Sequence, residues 1–202
     1  MMNFVKSSIY ICLMGLFLFT GIAGCNKLGS AKKFNSTDIT GAEFGQDFQL
    51  TDHTGKMRTL ADFRGKAVVM FFGYTHCPEI CPTTMSDLAQ ALNLLGQDAN
   101  KIQVLFVTVD PARDTQALLE KYVPAFNPGF LGLYGDEAAT AKVAKDFRVY
   151  YRKHQDANSQ NYDVDHTAGT YVFDQSGKLR LFMSYGQGAE SMAHDLRELI
   201  AG

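Results

Sequence analysis

Between residues 67 and 123, apolar runs alternate with helically spaced apolar positions. Ala67 to Tyr74 and Ile102 to Val109 are short, rich in valine and phenylalanine and nearly free of polar residues, as strands buried on both faces are. After the first run come Met85, Leu88, Leu92 and Leu95, and after the second Leu118, Leu119, Tyr122 and Val123. Apolar residues three or four apart keep one face of a helix apolar, so each run predicts a strand followed by a helix. A third helical segment runs from Asp136 to about Phe147. Thr170 to Phe173 and Leu179 to Tyr185 then predict a strand pair hinged on Ser176-Gly177, and Met192, Leu196, Leu199 and Ile200 an amphipathic last helix. Upstream, Phe48-Gln49-Leu50 and Met57 to Leu60 flank Asp52-His53-Thr54-Gly55, a turn-like cluster suited to a small hairpin, with His53 expected in solvent.

Strand, helix, strand, helix, then hairpin and helix predict an α/β domain with a central mixed sheet. The order is that of a thioredoxin-like fold with an extra N-terminal hairpin and flanking helices, although other α/β folds share the pattern. No internal repeat or low-complexity segment is present.

The first 25 residues have a different composition. Lys6 is their only charge, and Ile9 to Ala23 is apolar apart from small residues, as in a secretory signal peptide. Fifteen residues fall short of the roughly 20 a helix needs to span hydrocarbon, which disfavours an uncleaved anchor. The segment ends in Ile22-Ala23-Gly24-Cys25, which resembles the lipobox of bacterial lipoproteins, where the cysteine becomes the lipidated N-terminus. The chain then divides into a signal peptide, 1–24, a lipid-anchored polar tether, 25–40, and a folded domain, 41–202. A tether of this kind spans on the order of 20 Å and holds the domain outside the cytoplasm, close to a membrane.

The balance of 19 Lys plus Arg against 21 Asp plus Glu offers no basic footprint, and Arg152-Lys153-His154 is too short a run for a phosphate backbone. Nucleic acid is not an expected partner. With 202 residues and 46% hydrophobic content, the chain can bury a core without disulfide staples. Cys12 leaves with the signal peptide and lipid consumes Cys25, so of four cysteines the domain keeps only Cys77 and Cys81 as thiols.

Those two lie in Cys77-Pro78-Glu79-Ile80-Cys81-Pro82, between the first strand and the helix after it. Free N–H groups and the positive end of the helix dipole lower a thiol's pKa at such a place. A spacing of four puts both sulfurs on one face of a turn, near enough for a disulfide or for a shared metal ion. A redox pair more often has two intervening residues; three tilt the reading toward a soft metal such as Cu(I) or zinc. Two thiolates are too few for an iron–sulfur cluster, and three ligands in an oxidising compartment suit structural zinc poorly. A further ligand must come from elsewhere. Among the histidines, His194 reads as solvated, His154 as a loop residue and His76 as a neighbour able to tune Cys77. His166, in the loop before Thr170, could reach the edge of the sheet that carries the cysteines, although spacing alone does not bring it there. Met85 is a soft donor, but its place in the apolar stripe assigns it to the core.

Phe72-Gly73-Tyr74-Thr75-His76-Cys77-Pro78-Glu79-Ile80-Cys81-Pro82-Thr83-Thr84 resembles the signature of the Sco/SenC family, the copper-binding proteins of cytochrome c oxidase assembly. Thr108 to Thr115 and Asp163-Val164-Asp165-His166-Thr167-Ala168 resemble two further family segments, in the right order. The resemblance implies a thioredoxin-like domain outside the cytoplasmic membrane that binds one copper ion, Cu(I) or Cu(II), through Cys77, Cys81 and His166. It also implies delivery of copper to the dinuclear centre of cytochrome c oxidase subunit II, or reduction of that centre's cysteines, with periplasmic copper carriers or thiol reductants as further partners. Asp163 and Asp165 become candidates to orient His166 or meet the partner, or else are simply solvated. Asp110, Pro111, Arg113 and Asp114 are expected to build a turn and helix start. Asn26 after the lipid cysteine leaves open which membrane holds the protein.

The chain thus reads as a metallochaperone rather than an enzyme in the strict sense. The competing readings are an extracytoplasmic thiol-disulfide oxidoreductase or thiol peroxidase, with Cys77 attacking and Cys81 resolving, and a copper or redox sensor using the same site.

Overall fold

The computed structural model describes residues 33–154 and 162–201. The predicted signal peptide with Cys12, the lipid cysteine Cys25 and the first part of the tether lie outside the described residues. The strands are β1 (Thr37–Asp38), β2 (Leu50–Asp52), β3 (Met57–Arg58), β4 (Ala67–Gly73), β5 (Ile102–Thr108), β6 (Leu131–Tyr134), β7 (Tyr151–His154), β8 (Asp163–His166), β9 (Thr170–Phe173) and β10 (Leu179–Met183). The α-helices are α1 (Ile80–Leu95), α2 (Gln116–Tyr122), α3 (Glu137–Asp146) and α4 (Ala189–Ile200).

Eight strands form one mixed sheet, ordered β1-β10-β9-β4-β5-β6-β2-β3. β4, β5 and β6 run parallel, and the other neighbours pair antiparallel. Two successive right-handed crossovers, through α1 and then α2, place both helices on the same face of the sheet. Gly132 makes room for α2 there: a Cβ on it would lie 2.9 Å from Val123 and 3.3 Å from Leu119. The amphipathic helix α4 packs on α1, burying Met192, Ala193, Leu196 and Leu199. On the other face, where Phe72 points, a nest of rings gathers: Phe147, following α3, stands 5.4 Å from Phe72, 5.7 Å from Tyr171 and 6.1 Å from Phe173. All seven residues of β4 are buried, which is why the strand reads as a continuous apolar run rather than an alternating one.

Two tight turns are built alike from the same sequence pattern. Asp52-His53-Thr54-Gly55-Lys56-Met57-Arg58 and Asp174-Gln175-Ser176-Gly177-Lys178-Leu179-Arg180 share an aspartate, a hydroxyl, a glycine, a lysine and an arginine at equal spacing. In each, the aspartate Oδ1 accepts from the hydroxyl residue's N–H and Oγ and from the lysine N–H, and Oδ2 accepts from the arginine. The glycines sit at φ +86° and +74°, where a side chain would be strained.

The structure bears out the mixed α/β fold and departs from the pattern reading in four places. Asn35 to Asp38, polar enough to be read as tether, are part of the fold: the Asn35 and Ser36 N–H groups donate to the buried Asp195 carboxylate, and Thr37–Asp38 pairs with β10. His53 is buried, 7% exposed, and its Nδ1 accepts from the Gly132 N–H at 3.0 Å. Nothing in its polar surroundings along the chain signals that contact. β6 is too short and too close to Gly129 to have stood out. The stretch read as loop around His154 and His166 forms an antiparallel ribbon, β7 with β8, outside the main sheet. Its polar residues conceal the strand pattern, since of β8 only Val164 is buried.

Candidate metal centre

β4 ends at Gly73 and the chain turns through Tyr74-Thr75-His76 before α1 begins. Thr75 is tied down by the buried Asp114, which accepts from its N–H at 3.0 Å and its Oγ1 at 2.6 Å, and also from Thr108 Oγ1 at 2.6 Å. Burial holds the Asp114 carboxyl above its ordinary pKa, the hydrogen bonds from Thr108 and Thr75 opposing that shift. The residue before α1, Glu79, makes no side-chain capping bond. Cys77 does so instead: its Sγ accepts from the Cys81 N–H at 3.4 Å, so a sulfur occupies the electropositive start of the helix.

Cys81 lies in the first turn of α1 and is wholly buried, whereas Cys77 is half-buried. His166 ends β8 and faces them, with Nε2 at 3.4 Å from Cys81 Sγ. One donor atom from each of Cys77, Cys81 and His166 lies within 4.8 Å of the other two. The ring of His166 stands edge-on to Tyr74 at 5.9 Å and to Phe71 at 6.1 Å. Its Nδ1 lies 3.0 Å from the Thr167 carbonyl. A carbonyl only accepts, so Nδ1 carries a proton and Nε2 is the ring nitrogen turned toward the sulfurs.

The two thiols are made unequal. The hydrogen bond from Cys81 lowers the Cys77 pKa far below that of an ordinary thiol; burial opposes this, while His166 and the N–H groups of Cys81 and Glu79 reinforce it. Cys81 moves the other way, raised first by the hydrogen bond it donates to Cys77 and then by burial. The metal-free site therefore pairs a thiolate on the accessible side with a thiol on the buried side. Two soft sulfurs and one imidazole are a donor set for a thiophilic ion, with copper foremost. Beside them opens a groove of about 420 Å³, lined by Cys77 and His166, by Tyr74, Pro78, Ile80 and Val164, and by the carboxylates of Glu79, Asp163 and Asp165.

The other sequence candidates are placed differently. His76 hydrogen-bonds Thr75 Oγ1 and lies 3.9 Å from Asp114, outside the donor cluster. His154, expected in a loop, is in β7 and pairs with Asp165 across the ribbon. Asp165 thus faces His154, and the Thr167 carbonyl holds the His166 ring. His194 is partly exposed and bonds Asp195. Met85 is buried in the core, as expected. The contribution of the Thr167 carbonyl was not legible from spacing, because it acts through the backbone.

Comparison with known proteins adds four observations. The SCO1/SenC family model matches residues 36–201. The mitochondrial SCO2 homolog of Bos taurus is 40% identical over 163 residues, 79% of this chain and 61% of that protein; the chain thus spans less than two thirds of that relative's length. Among solved structures, Bradyrhizobium japonicum ScoI with copper bound aligns with a TM-score of 0.72 at 39% identity, covering 78% of this chain and 99% of that one. Apo Sco1 from Thermus thermophilus aligns with a TM-score of 0.75 at 36% identity, covering 85% of this chain and 100% of that one.

Proposed function

This chain belongs to the SCO1/SenC family, and from that premise we propose that it binds one copper ion through Cys77, Cys81 and His166 and passes it to the dinuclear copper site of cytochrome c oxidase subunit II. The observation that carries the reading is the meeting of two sulfurs and one imidazole nitrogen within 4.8 Å. Thiolates favour Cu(I), and the imidazole lets the same site hold Cu(II). Cys81 must lose its proton when the ion binds; Cys77 is already a thiolate. A relative that was solved with copper bound supports the choice of metal.

Transfer uses the groove beside Cys77. A partner thiolate enters there and displaces His166 first, because a three-coordinate ion has room for a fourth ligand and the imidazole is the only neutral donor. In this reading the exchange takes place at the outer face of a membrane, which the signal-peptide-like first 24 residues and the lipobox-like Ile22-Ala23-Gly24-Cys25 support.

The inequality of the two cysteines favours one second reading. The Cys77 thiolate attacks a partner disulfide, forming a mixed disulfide and releasing one partner thiolate. Cys81, once deprotonated, then attacks Cys77 Sγ and frees the second; two electrons have passed from the dithiol to the partner.

The test is titration of the reduced full-length protein with Cu(I) and then Cu(II), beside Cys77→Ala and His166→Ala. One copper per chain, with thiolate-to-Cu(II) charge-transfer bands lost in Cys77→Ala and altered in His166→Ala, is the expected result. Absence of stoichiometric copper, with rapid disulfide exchange indifferent to His166, would overturn the chaperone reading in favour of the oxidoreductase.

A further inference from the structure

Among the described residues the β7–β8 ribbon that carries His166 shares no strand pairing with the main sheet, so backbone ladders do not fix where it sits. Side chains do. Tyr162, immediately before β8, is held in three ways by the loop after β5. Its carbonyl accepts from Arg113 Nη1 at 2.8 Å. Its ring lies 3.6 Å beneath the Arg113 guanidinium. Its hydroxyl donates to Asp110 Oδ1 at 2.7 Å. Arg113 Nε donates to the other oxygen of Asp110, closing the cycle. From β7, Lys153 lies 3.7 Å from the same carboxylate. The guanidinium also stands over the Tyr74 ring at 5.7 Å, and the Tyr74 hydroxyl accepts from the Val164 N–H at 3.3 Å. Arg113 thus touches the base of the ribbon and the ring that stands edge-on to His166.

We propose that Arg113 is the positioning residue of this site: it seats the β7–β8 ribbon on Asp110 and Tyr74 and so sets His166 against the two sulfurs. A guanidinium suits the task because its planar fork serves a carboxylate and a carbonyl while its face covers a ring. A lysine at 113 keeps the charge and loses the fork and the stacking. One short loop then governs both arms of the site, since Asp114 holds Thr75, two residues before Cys77. The effect on copper rests on the function proposed above; the effect on the ribbon does not.

The experiment compares full-length wild type, Arg113→Lys and Tyr162→Leu, the last keeping the Arg113 to Asp110 pair should the first fold poorly. Hydrogen exchange of the metal-free proteins is followed by mass spectrometry, and Cu(I) affinity by competition, each also in a His166→Ala background. The expected result is exchange in β8 faster by about tenfold, with β4 and β5 unchanged. Copper affinity falls by about 10- to 100-fold, a loss absent when His166 is already alanine. Unchanged β8 exchange in both variants, acceleration spread evenly over the chain, or an equal affinity loss in the His166→Ala background would overturn the proposal. Accelerated β8 exchange in a protein that takes up no copper would support the brace and remove the copper reading.

Discussion

Gly73 and Cys81 meet so closely that no side chain fits between them: a Cβ at position 73 would lie 2.8 Å from Cys81 Sγ. The same Cβ would lie 2.9 Å from Phe71 and 3.0 Å from Phe106, so the last residue of β4 is a socket for the buried sulfur. Both rings are wholly buried and cannot give way cheaply.

Gly73→Ala is therefore expected to cost about 1–3 kcal/mol by overpacking and to displace Cys81 from the donor cluster. Denaturant unfolding and copper competition measure the two effects separately. A variant as stable as the parent and equally tight for copper would show that the socket is not needed.

In the reduced, metal-free protein, Cys77 is the reactive thiol and Cys81 the silent one. Because its pKa is lowered by the hydrogen bond from Cys81 and by the start of the helix, Cys77 stays ionised as the solution is acidified. Its alkylation rate should change little from about pH 8 to about pH 5, where an ordinary thiol loses its reactivity. Peptide mapping after iodoacetamide treatment checks this; comparable labelling of both cysteines, or a steep decline below pH 8, would contradict it.

Asp52 should make an acid-labile contribution to stability. Burial would raise its pKa, but hydrogen bonds from Thr54, Arg58 and Lys56 outweigh it and bring it from 3.8 to about 2. A carboxylate depressed on folding stabilises fully above its unfolded pKa and ceases to do so as the pH falls through its folded value. The window is thus from about pH 4 down to about pH 2, and the contribution roughly 2 kcal/mol. Asp114, raised by burial, works in the opposite sense, so the comparison must be with Asp52→Asn. The stability gap between parent and variant should be largest at neutral pH and close by about pH 2; a gap constant with pH would refute the assignment.

Tyr122 presents a buried hydroxyl with no hydrogen-bond partner among the described residues, packed between Phe106 at 5.7 Å and Phe126 at 5.2 Å. Tyr122→Phe removes an unsatisfied polar group while keeping the ring, and should leave stability unchanged or raise it by about 1 kcal/mol. A loss of stability in thermal or denaturant unfolding would mean that the hydroxyl has a partner after all.

The pattern of apolar positions was enough for the elements that make the core. β4, β5, β9, β10 and all four helices stand where their spacing put them, because periodicity over a few residues already says which face must be buried. The Cys77 and Cys81 pair was legible for the same reason: both sit within one turn at a strand-to-helix junction, and local geometry alone makes that place electropositive. His166 stood out among the histidines by its place just before Thr170, and the resemblance named it as the third ligand; spacing alone did not bring it to the sulfurs. What periodicity missed is short, and apart from β6 polar: β6 itself, the ribbon β7–β8, and β1 at the end of the predicted tether.

Which groups meet was decided only by the tertiary structure. Cys81 and His166 are separated by 85 positions, and their approach depends on where an unladdered ribbon is held by Arg113, Asp110 and Tyr162. The burial of His53 against Gly132 and the socket at Gly73 are likewise contacts between distant segments. A local pattern is set by residues that are neighbours along the chain, whereas a donor cluster is set by the packing that brings strangers together. The residue types and the helix-start chemistry were thus determined by the sequence alone; the inequality of the two thiols, the protonated nitrogen of His166 and the seat of the ribbon came from the fold.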